Sequence, residues 1–257
     1  MLAVERRNII LARIQEDKKC IVSELSREFD VSEETIRRDL EKLEDDGHVI
    51  KTYGGAILNE KSSIDLPFNV RQKSNTKGKM IIADLICSQI EEGEHIFLDA
   101  STTAVFIAKS IKQKKRLTVI TNSIENLLEL SDVENWDIIS TGGLLKAGSM
   151  SLLGKKASDS VSSYNADKLI MSCKGFDIDR GVTDGNDETS SMKQNMMAVA
   201  EKVYLAVDST KFNKIAFSQI CSLSQIDYVV TDKKPEDKWL VAMRENGIEC
   251  LYPEKEE

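Results

Sequence analysis

The stretch Ser32-Glu33-Glu34-Thr35-Ile36-Arg37-Arg38-Asp39-Leu40-Glu41-Lys42-Leu43-Glu44-Asp45-Asp46-Gly47 decides how the N-terminal part of the chain folds. Ser32 can accept from the N–H groups of a first helical turn, and Glu33 and Glu34 sit at the positive end of that helix's dipole. Ile36, Leu40 and Leu43 recur at spacings of four and three, which makes one inward stripe. Thr35, Arg37, Arg38 and Lys42 are left pointing mainly outward. Asp45-Asp46-Gly47 ends the helix, with Gly47 suited to the left-handed position beyond it.

Upstream, Val4 to Asp17 carries Ile9, Ile10, Leu11 and Ile14 at helical spacing, against Glu5, Arg6, Arg13 and Glu16 on the other face. Lys18-Lys19 breaks that pattern. A second stripe follows at Val22, Leu25 and Phe29, capped by Ser23 or begun already at Ile21-Val22. Downstream, His48 to Leu58 has two short apolar runs flanking Gly54-Gly55, a β-hairpin signal. Helix, helix, turn, helix, hairpin is the order of a winged helix-turn-helix. We expect it over 1–58.

A helix of this length fits the major groove, and its first turn offers free N–H groups to a phosphate. Arg37 and Arg38 diverge by roughly 100° around the axis, so one can reach a base edge while the other meets a phosphate. An arginine fork on guanine is worth about 1–3 kcal/mol of discrimination. Lys51, Tyr53 and Gly54 on the hairpin are placed for the flanking backbone. Charge opposes this expectation. The chain carries a net −8, and residues 1–58 hold ten Lys+Arg against thirteen Asp+Glu. Binding to DNA must therefore rest on a few well-placed cations. The plain alternative is a small helical interaction module with a solvated arginine pair.

Arg6, Ile10 and Ile14, followed by Ser32-x-x-Thr35-Ile36-Arg37-Arg38-Asp39-Leu40 and the wing Tyr53-Gly54-Gly55-Ala56, resemble the DNA-binding signature of the DeoR family of bacterial regulators. The resemblance implies a recognition helix near 32–45, a helix-turn-helix near 20–39, and a structural role for Asp39, paired with a neighbouring arginine. It also implies double-stranded operator DNA as a partner. Members of the family are usually repressors, less often activators.

Residues 59–75 read as a linker with one apolar anchor near Phe68. Arg71, Lys73, Lys77 and Lys79 form a basic cluster, either a solvated helix start or a set reaching the effector or operator. Over 76–257 short apolar strands alternate with helices. Strands are expected at 94–99, 117–120, 137–140, 169–172, 203–207 and 228–231, with helices at 80–90, 102–111 and 124–130. This is the pattern of a doubly wound, mostly parallel α/β sheet.

Such sheets bind ligands at the carboxyl ends of their strands. Asp99, Ser101, Thr102 and Thr103 lie between a strand end and a helix start. Their hydroxyls and N–H groups suit a phosphate, and Asp99 is placed to accept from sugar hydroxyls. Asn122 follows the next strand, Gly142 and Gly143 another. Lys174 and Gly175 follow a further one, and Asp208 to Phe212, with Lys211 as a point charge, yet another. Each has a bland explanation as a cap or turn. Together, at five strand ends, they point to a site for a small anion. Trp136 and Trp239 read as packing residues.

This region resembles the DeoR-family sensor domain, related in fold to ribose-5-phosphate isomerase. The stretches that carry it are 96–99, 117–123, Gly142-Gly143, Gly181-Val182-Thr183-Asp184 with Glu188, and 208–212. The resemblance implies a phosphorylated sugar as effector, with Glu188 and Lys193 lining the same pocket. Ser101 stands where the family often has glycine. Ser172-Cys173-Lys174-Gly175 stands where an apolar residue and glycine are common, so Lys174 is expected to tune the effector.

Five widely spaced cysteines without a C-x-x-C pair argue against a disulfide framework or zinc site, and no metal or cofactor is expected. No run of 18 apolar residues and no signal-peptide core is present, so a cytoplasmic location and no membrane partner are expected. Paired recognition helices need matched half-sites, which calls for a homo-oligomer, dimer or tetramer. Two other classes compete with a regulator. One is a sugar-phosphate isomerase or deaminase using Asp99, Asp184 or Glu188 as its carboxylates. The other is a scaffold without ligand.

Overall fold

A computed structural model describes residues 1–59 and 66–254, and its chain divides into two compact units, Met1–Thr76 and Lys77–Glu257. Residues 60–65 of the expected linker, and the side chain of Glu16, lie outside the described residues.

The first unit runs α1 (Ala3–Asp17), β1 (Lys19–Ile21), α2 (Val22–Phe29), α3 (Glu33–Asp45), β2 (Val49–Thr52), β3 (Gly55–Leu58) and α4 (Phe68–Lys73). The stripes seen in the sequence meet in one core of Ile10, Leu11, Ile14, Val22, Leu25, Ile36, Leu40, Leu43, Val49 and Ala56. Ser32 caps α3, its Oγ accepting from Thr35 N at 3.2 Å. Gly47 takes φ 75°, and the His48 amide turns back to Leu43 O at 2.9 Å.

Of the two starts read for α2, the helix takes the one at Val22, after Ile21 with no side-chain cap, so Ser23 lies inside it. Two features depart from expectation. The hairpin is a three-stranded sheet, order β1-β3-β2. Gly55 makes the third strand possible, because a Cβ there would lie 2.0 Å from Cys20 O. From residue 66 onward the connector forms the short helix α4, with Phe68 and Val70 buried.

The second unit opens with α5 (Thr76–Ser88) and builds its sheet from β4 (His95–Leu98), α6 (Thr102–Ile111), β5 (Thr118–Thr121), α7 (Ile124–Leu130) and β6 (Asp137–Ser140). A hairpin, β7 (Leu144–Lys146) and β8 (Ser151–Leu153), and α8 (Lys155–Val161) lead to β9 (Ala166–Met171). Then come β10 (Gly175–Asp177), β11 (Gly181–Asp184), α9 (Asp187–Met197), β12 (Ala200–Ala206), β13 (Ser218–Cys221), β14 (Tyr228–Val230), α10 (Asp237–Glu245) and β15 (Glu249–Leu251). The main sheet has the order β15-β14-β12-β9-β4-β5-β6, and every pair in it is parallel.

Alternate residues of the central strands feed two cores, one on each face. Phe97 and Leu169 enter one; Ile96, Leu98 and Ile170 enter the other. Trp239 packs against Phe176 and Phe212, and Trp136 donates to Lys114 O at 3.2 Å, so both tryptophans are packing residues. The chain winds outward from β4 in both directions, to β5 on one side and to β9 on the other. The topological switch point, the place where sheets of this kind bind ligands, therefore lies between the carboxyl ends of β4 and β9. The small sheet β10-β11-β13 and the β7–β8 hairpin were not legible as strands. Among the described residues no helix is long and apolar enough to cross a membrane.

Candidate DNA-reading face and effector site

α3 is fixed from beneath. Arg6 on α1 donates to Asp39 at 2.5 Å, and Arg7 lies 3.6 Å from its other oxygen, with the Asp39 side chain buried. The opposite face of α3 is open. Arg37 and Arg38 side chains are 55% and 77% exposed. Each leans on an acid one turn back: Arg37 Nη2 on Glu33 at 2.8 Å, Arg38 Nε on Glu34 at 3.1 Å. Exposed pairs of this kind are worth about 0.3–0.5 kcal/mol, so they orient the arginines without committing them. Lys42 pairs with Asp46 at 3.5 Å. Lys51 on β2 reaches Glu41 at 3.4 Å, and its amide donates to Glu44 at 2.7 Å, which ties wing to helix. Tyr53 stands fully exposed beside Gly54 at the wing's tip. Ser32 and Thr35 hydroxyls lie 2.9 Å apart within the cap.

In the second unit the switch point is bridged by polar contacts. Asp99, just after β4, accepts from Ser172 N after β9 at 2.9 Å and from Ser101 N at 3.0 Å. Lys193 on α9 inserts below them. Its Nζ donates to Asp184 and to Ser172 O, both at 2.6 Å, and lies 3.2 Å from Asp99. The three side chains are 1%, 5% and 7% exposed for Asp99, Asp184 and Lys193. Burial alone would raise the Asp184 carboxyl, but Lys193, Lys174 and the Gly185 amide hold it below the usual carboxylate range. Burial likewise opposes the Lys193 charge, yet Asp184 and Asp99 raise its pKa.

A second polar group stands after β12. Asp208 accepts from Thr210 N at 2.9 Å and from its hydroxyl, capping the 3₁₀ turn Ser209–Lys211. Burial pushes its pKa up, but Lys211, the Thr210 bonds and Lys79 bring it below the usual range. Lys79, read with its cluster as a solvated helix start or as reaching the effector or operator, is buried, with its ammonium 5.8 Å from the Phe106 ring centre. Lys174 lies 3.8 Å from Asp184; burial, then Lys193 and Lys211, lower its pKa against the pull of Asp184.

The candidates divide accordingly. Asp99, Ser101, Thr102, Thr103, Asn122, Lys174 and Lys211 all lie at carboxyl ends of main-sheet strands or just beyond. Ser101 is no obstacle where glycine is common: its φ is −79°, and its Oγ caps α6 by accepting from Ala104 N at 3.1 Å. Gly142 and Gly143 follow β6; Gly143 has φ 112°, and a Cβ there would meet Leu153 O at 2.6 Å.

Three placements differ from what was expected. Asp99 is buried and already accepts from Ser101 N and Ser172 N, with the Lys193 ammonium 3.2 Å away. Gly175 is explained by packing, since a Cβ would clash with Lys214 O and Thr183 Oγ1. Glu188 is exposed and paired with Lys146 at 2.8 Å, so it does not join Lys193 in the buried group. Asn126 was missed. It is fully buried and donates to Asp99 O at 2.9 Å and Thr121 Oγ1 at 3.1 Å. The Oδ1 atoms of Asn122 and Asn126 are buried without a hydrogen-bond partner. No spacing rule marks Asn126; the only sign was its place three residues after the cap Ser123.

Residues 6–62 match the DeoR-like helix-turn-helix domain, and residues 74–233 match the DeoR C-terminal sensor domain. The chain is 37% identical over 248 residues to the HTH-type transcriptional regulator YulB of Bacillus subtilis, with 96% of each chain covered. It is 33% identical over 257 residues to the HTH-type transcriptional repressor GlcR of the same organism, covering 100% of this chain and 99% of that one. Among solved structures, ribose 5-phosphate isomerase A of Methanocaldococcus jannaschii is similar at a TM-score of 0.40 and 14% identity, over 54% of this chain and 55% of that one, too distant to bear on activity. The chain belongs to the DeoR family of helix-turn-helix transcriptional regulators.

Proposed function

We propose that the protein is a cytoplasmic repressor of a carbohydrate-metabolism operon. It binds operator DNA as a homo-oligomer through α3 and the wing, and a phosphorylated sugar at the β4/β9 switch point controls that binding. The observation that carries the DNA half is the outward, weakly held pair Arg37 and Arg38 on a helix anchored from below by Asp39. Ser32 and Thr35 close the helix start, and Lys42, Lys51, Tyr53 and Gly54 flank the arginines. For the effector half, support comes from Lys174 and Lys211 beyond the carboxyl ends of β9 and β12, from the serine-capped start of α6 after β4, and from the buried acceptors of Asn122 and Asn126, which suit hydroxyl donors. Repression is favoured by the likeness to GlcR.

An isomerase reading finds less support. A proton-transfer base must be free to reach substrate. Asp99 and Asp184 are both locked on Lys193, and Glu188 faces outward on Lys146.

The test uses the full chain and a duplex it selects from a randomised pool. Arg37→Ala and Arg38→Ala should each weaken gel-shift binding roughly 5- to 150-fold, on the order of 1–3 kcal/mol, with effector binding intact. Lys211→Ala should retain DNA binding and lose the response to sugar phosphates such as ribose 5-phosphate or glucosamine 6-phosphate. Undiminished DNA binding by both arginine variants refutes the assigned face. Turnover of either sugar phosphate, lost in Asp184→Asn, establishes the enzyme instead.

A further inference from the structure

We propose that Glu33, Glu34, Glu41 and Asp46 are specificity residues that hold this regulator off random DNA by neutralising, within the protein, the cations of its own reading face. The proposal rests on α3 and the wing forming that face. Every cation assigned to it has a carboxylate partner: Arg37 with Glu33 at 2.8 Å, Arg38 with Glu34 at 3.1 Å, Lys42 with Asp46 at 3.5 Å, Lys51 with Glu41 at 3.4 Å. Arg6 and Arg7 are drawn away from the face by Asp39, and Arg13 by Glu28 and Asp17. The proposed reading face therefore carries its own acids, one paired with each of its four cations.

The consequence follows from how proteins bind duplex without regard to sequence. That affinity comes from cations that neutralise phosphates and release condensed counterions, about 0.9 in the logarithmic salt slope per phosphate. A guanidinium and a carboxylate about 3 Å apart carry no net charge as a pair. To meet a phosphate the guanidinium must exchange one carboxylate for another anion, and the abandoned acid is left near the backbone. A random duplex offers little beyond that even exchange. A cognate duplex adds base-edge bonds worth about 1–3 kcal/mol per good fork, well above the ~0.3–0.5 kcal/mol of the intrahelical pair. The arginines are thus released chiefly where the bases reward them.

Helix support is the competing role for these acids, since Glu four residues before Arg stabilises a helix and acids suit its N-terminus. The salt slope separates the two, because a purely structural role leaves it unmoved. The experiment measures anisotropy of the full chain, wild type and the Glu33→Gln/Glu34→Gln double variant. Each is tested on a self-selected duplex and on a scrambled duplex of equal length, from about 50 to 200 mM salt. On the scrambled duplex the wild-type slope per subunit should be well short of the roughly −3.6 that four unpaired cations give. The double variant should steepen it by about 1.8, which from a 1 M reference is roughly a 60-fold rise in affinity at 0.1 M. Circular dichroism confirms that the variant keeps its helices. A wild-type slope already near −3.6, or a slope the double variant does not move, overturns the proposal. Arg37→Ala and Arg38→Ala run alongside. If they leave both duplexes bound as before, α3 is not the face and the proposal falls with it. If they weaken binding while the glutamine variant moves nothing, only the proposal falls.

Discussion

Lys193 shows what a single residue decides in the sensor unit. Its ammonium is buried between two carboxylates and a carbonyl, and it spans the switch point that Asp99 and Ser172 close from above. Removing one member of a buried charged group leaves the others uncompensated, at about 3–5 kcal/mol. Lys193→Met should therefore lower the stability of this unit by that order. Urea unfolding of the full chain, followed by tryptophan fluorescence, reads it directly, because Trp136 and Trp239 both lie in this unit. Adding Asp184→Asn to the variant should recover part of the loss. A single Met variant within 1 kcal/mol of wild type would show that the group is not a unit. Asp184 adds a pH dependence: its folded pKa is depressed, so its contribution is present above the unfolded value and is lost as pH falls through the acid range. Asp99 was visible in the sequence as a strand-end carboxylate, and that placement holds. Its partners were not visible, because they come from Ser172 and Lys193, far along the chain. Chemistry that crosses a sheet leaves no local pattern.

Among the elements, those bounded by local signals were the most legible. α6 and α7 span the ranges read from sequence, and both start at serine caps, Ser101 and Ser123, just after strand ends. β1 was illegible: three residues between two helices, recognisable only through pairing with β3. The wing that β1 completes carries a second buried group whose charge matters. His48 opens the approach to β2, and its Nδ1 is buried without a hydrogen-bond partner. Burial lowers its pKa from the ordinary 6.5, with Asp46 opposing. The unfolded chain then binds the proton more readily than the folded one, so stability is fully present at higher pH and falls as pH drops below about 6.5. Hydrogen exchange of β2 and β3 amides in the full chain, corrected for intrinsic rates, should show loosening of this element at pH about 5.5 relative to 7.5. His48→Gln should flatten the difference. Equal protection at both values would mean that the ring finds a partner on protonation. Asp39 belongs to this scale too. Asp39→Asn weakens the charge-assisted bond from Arg6 and should cost about 1–3 kcal/mol, tilting α3 and lowering affinity for the selected duplex. A variant with lost stability and unchanged affinity would confine Asp39 to folding.

At the scale of the whole molecule, two units with separate cores must share one free energy. An effector controls DNA affinity only by binding the DNA-competent and DNA-incompetent states unequally, and the coupling must be reciprocal. If a sugar phosphate lowers operator affinity by a factor α, saturating operator must lower the protein's affinity for that sugar phosphate by the same α. Typical couplings of 1–3 kcal/mol make α roughly 5–150. The measurement is a pair of titrations of the full chain: sugar phosphate into free protein, and into protein saturated with its selected duplex. Equal factors from the two directions establish a single coupled equilibrium between separate sites. A sugar phosphate that merely competes as an anion for the α3 face behaves otherwise. Its inhibition grows without limit with concentration, it disappears in Arg37→Ala, and Lys211→Ala leaves it untouched. Since the face is already neutralised by its own acids, it offers a free anion little, and the limited, reciprocal form is the expected outcome. On the proposed reading, control by metabolite rests on Lys174, Lys211 and the α6 start, and unlimited competition in the titration would move that control to the DNA-reading face instead.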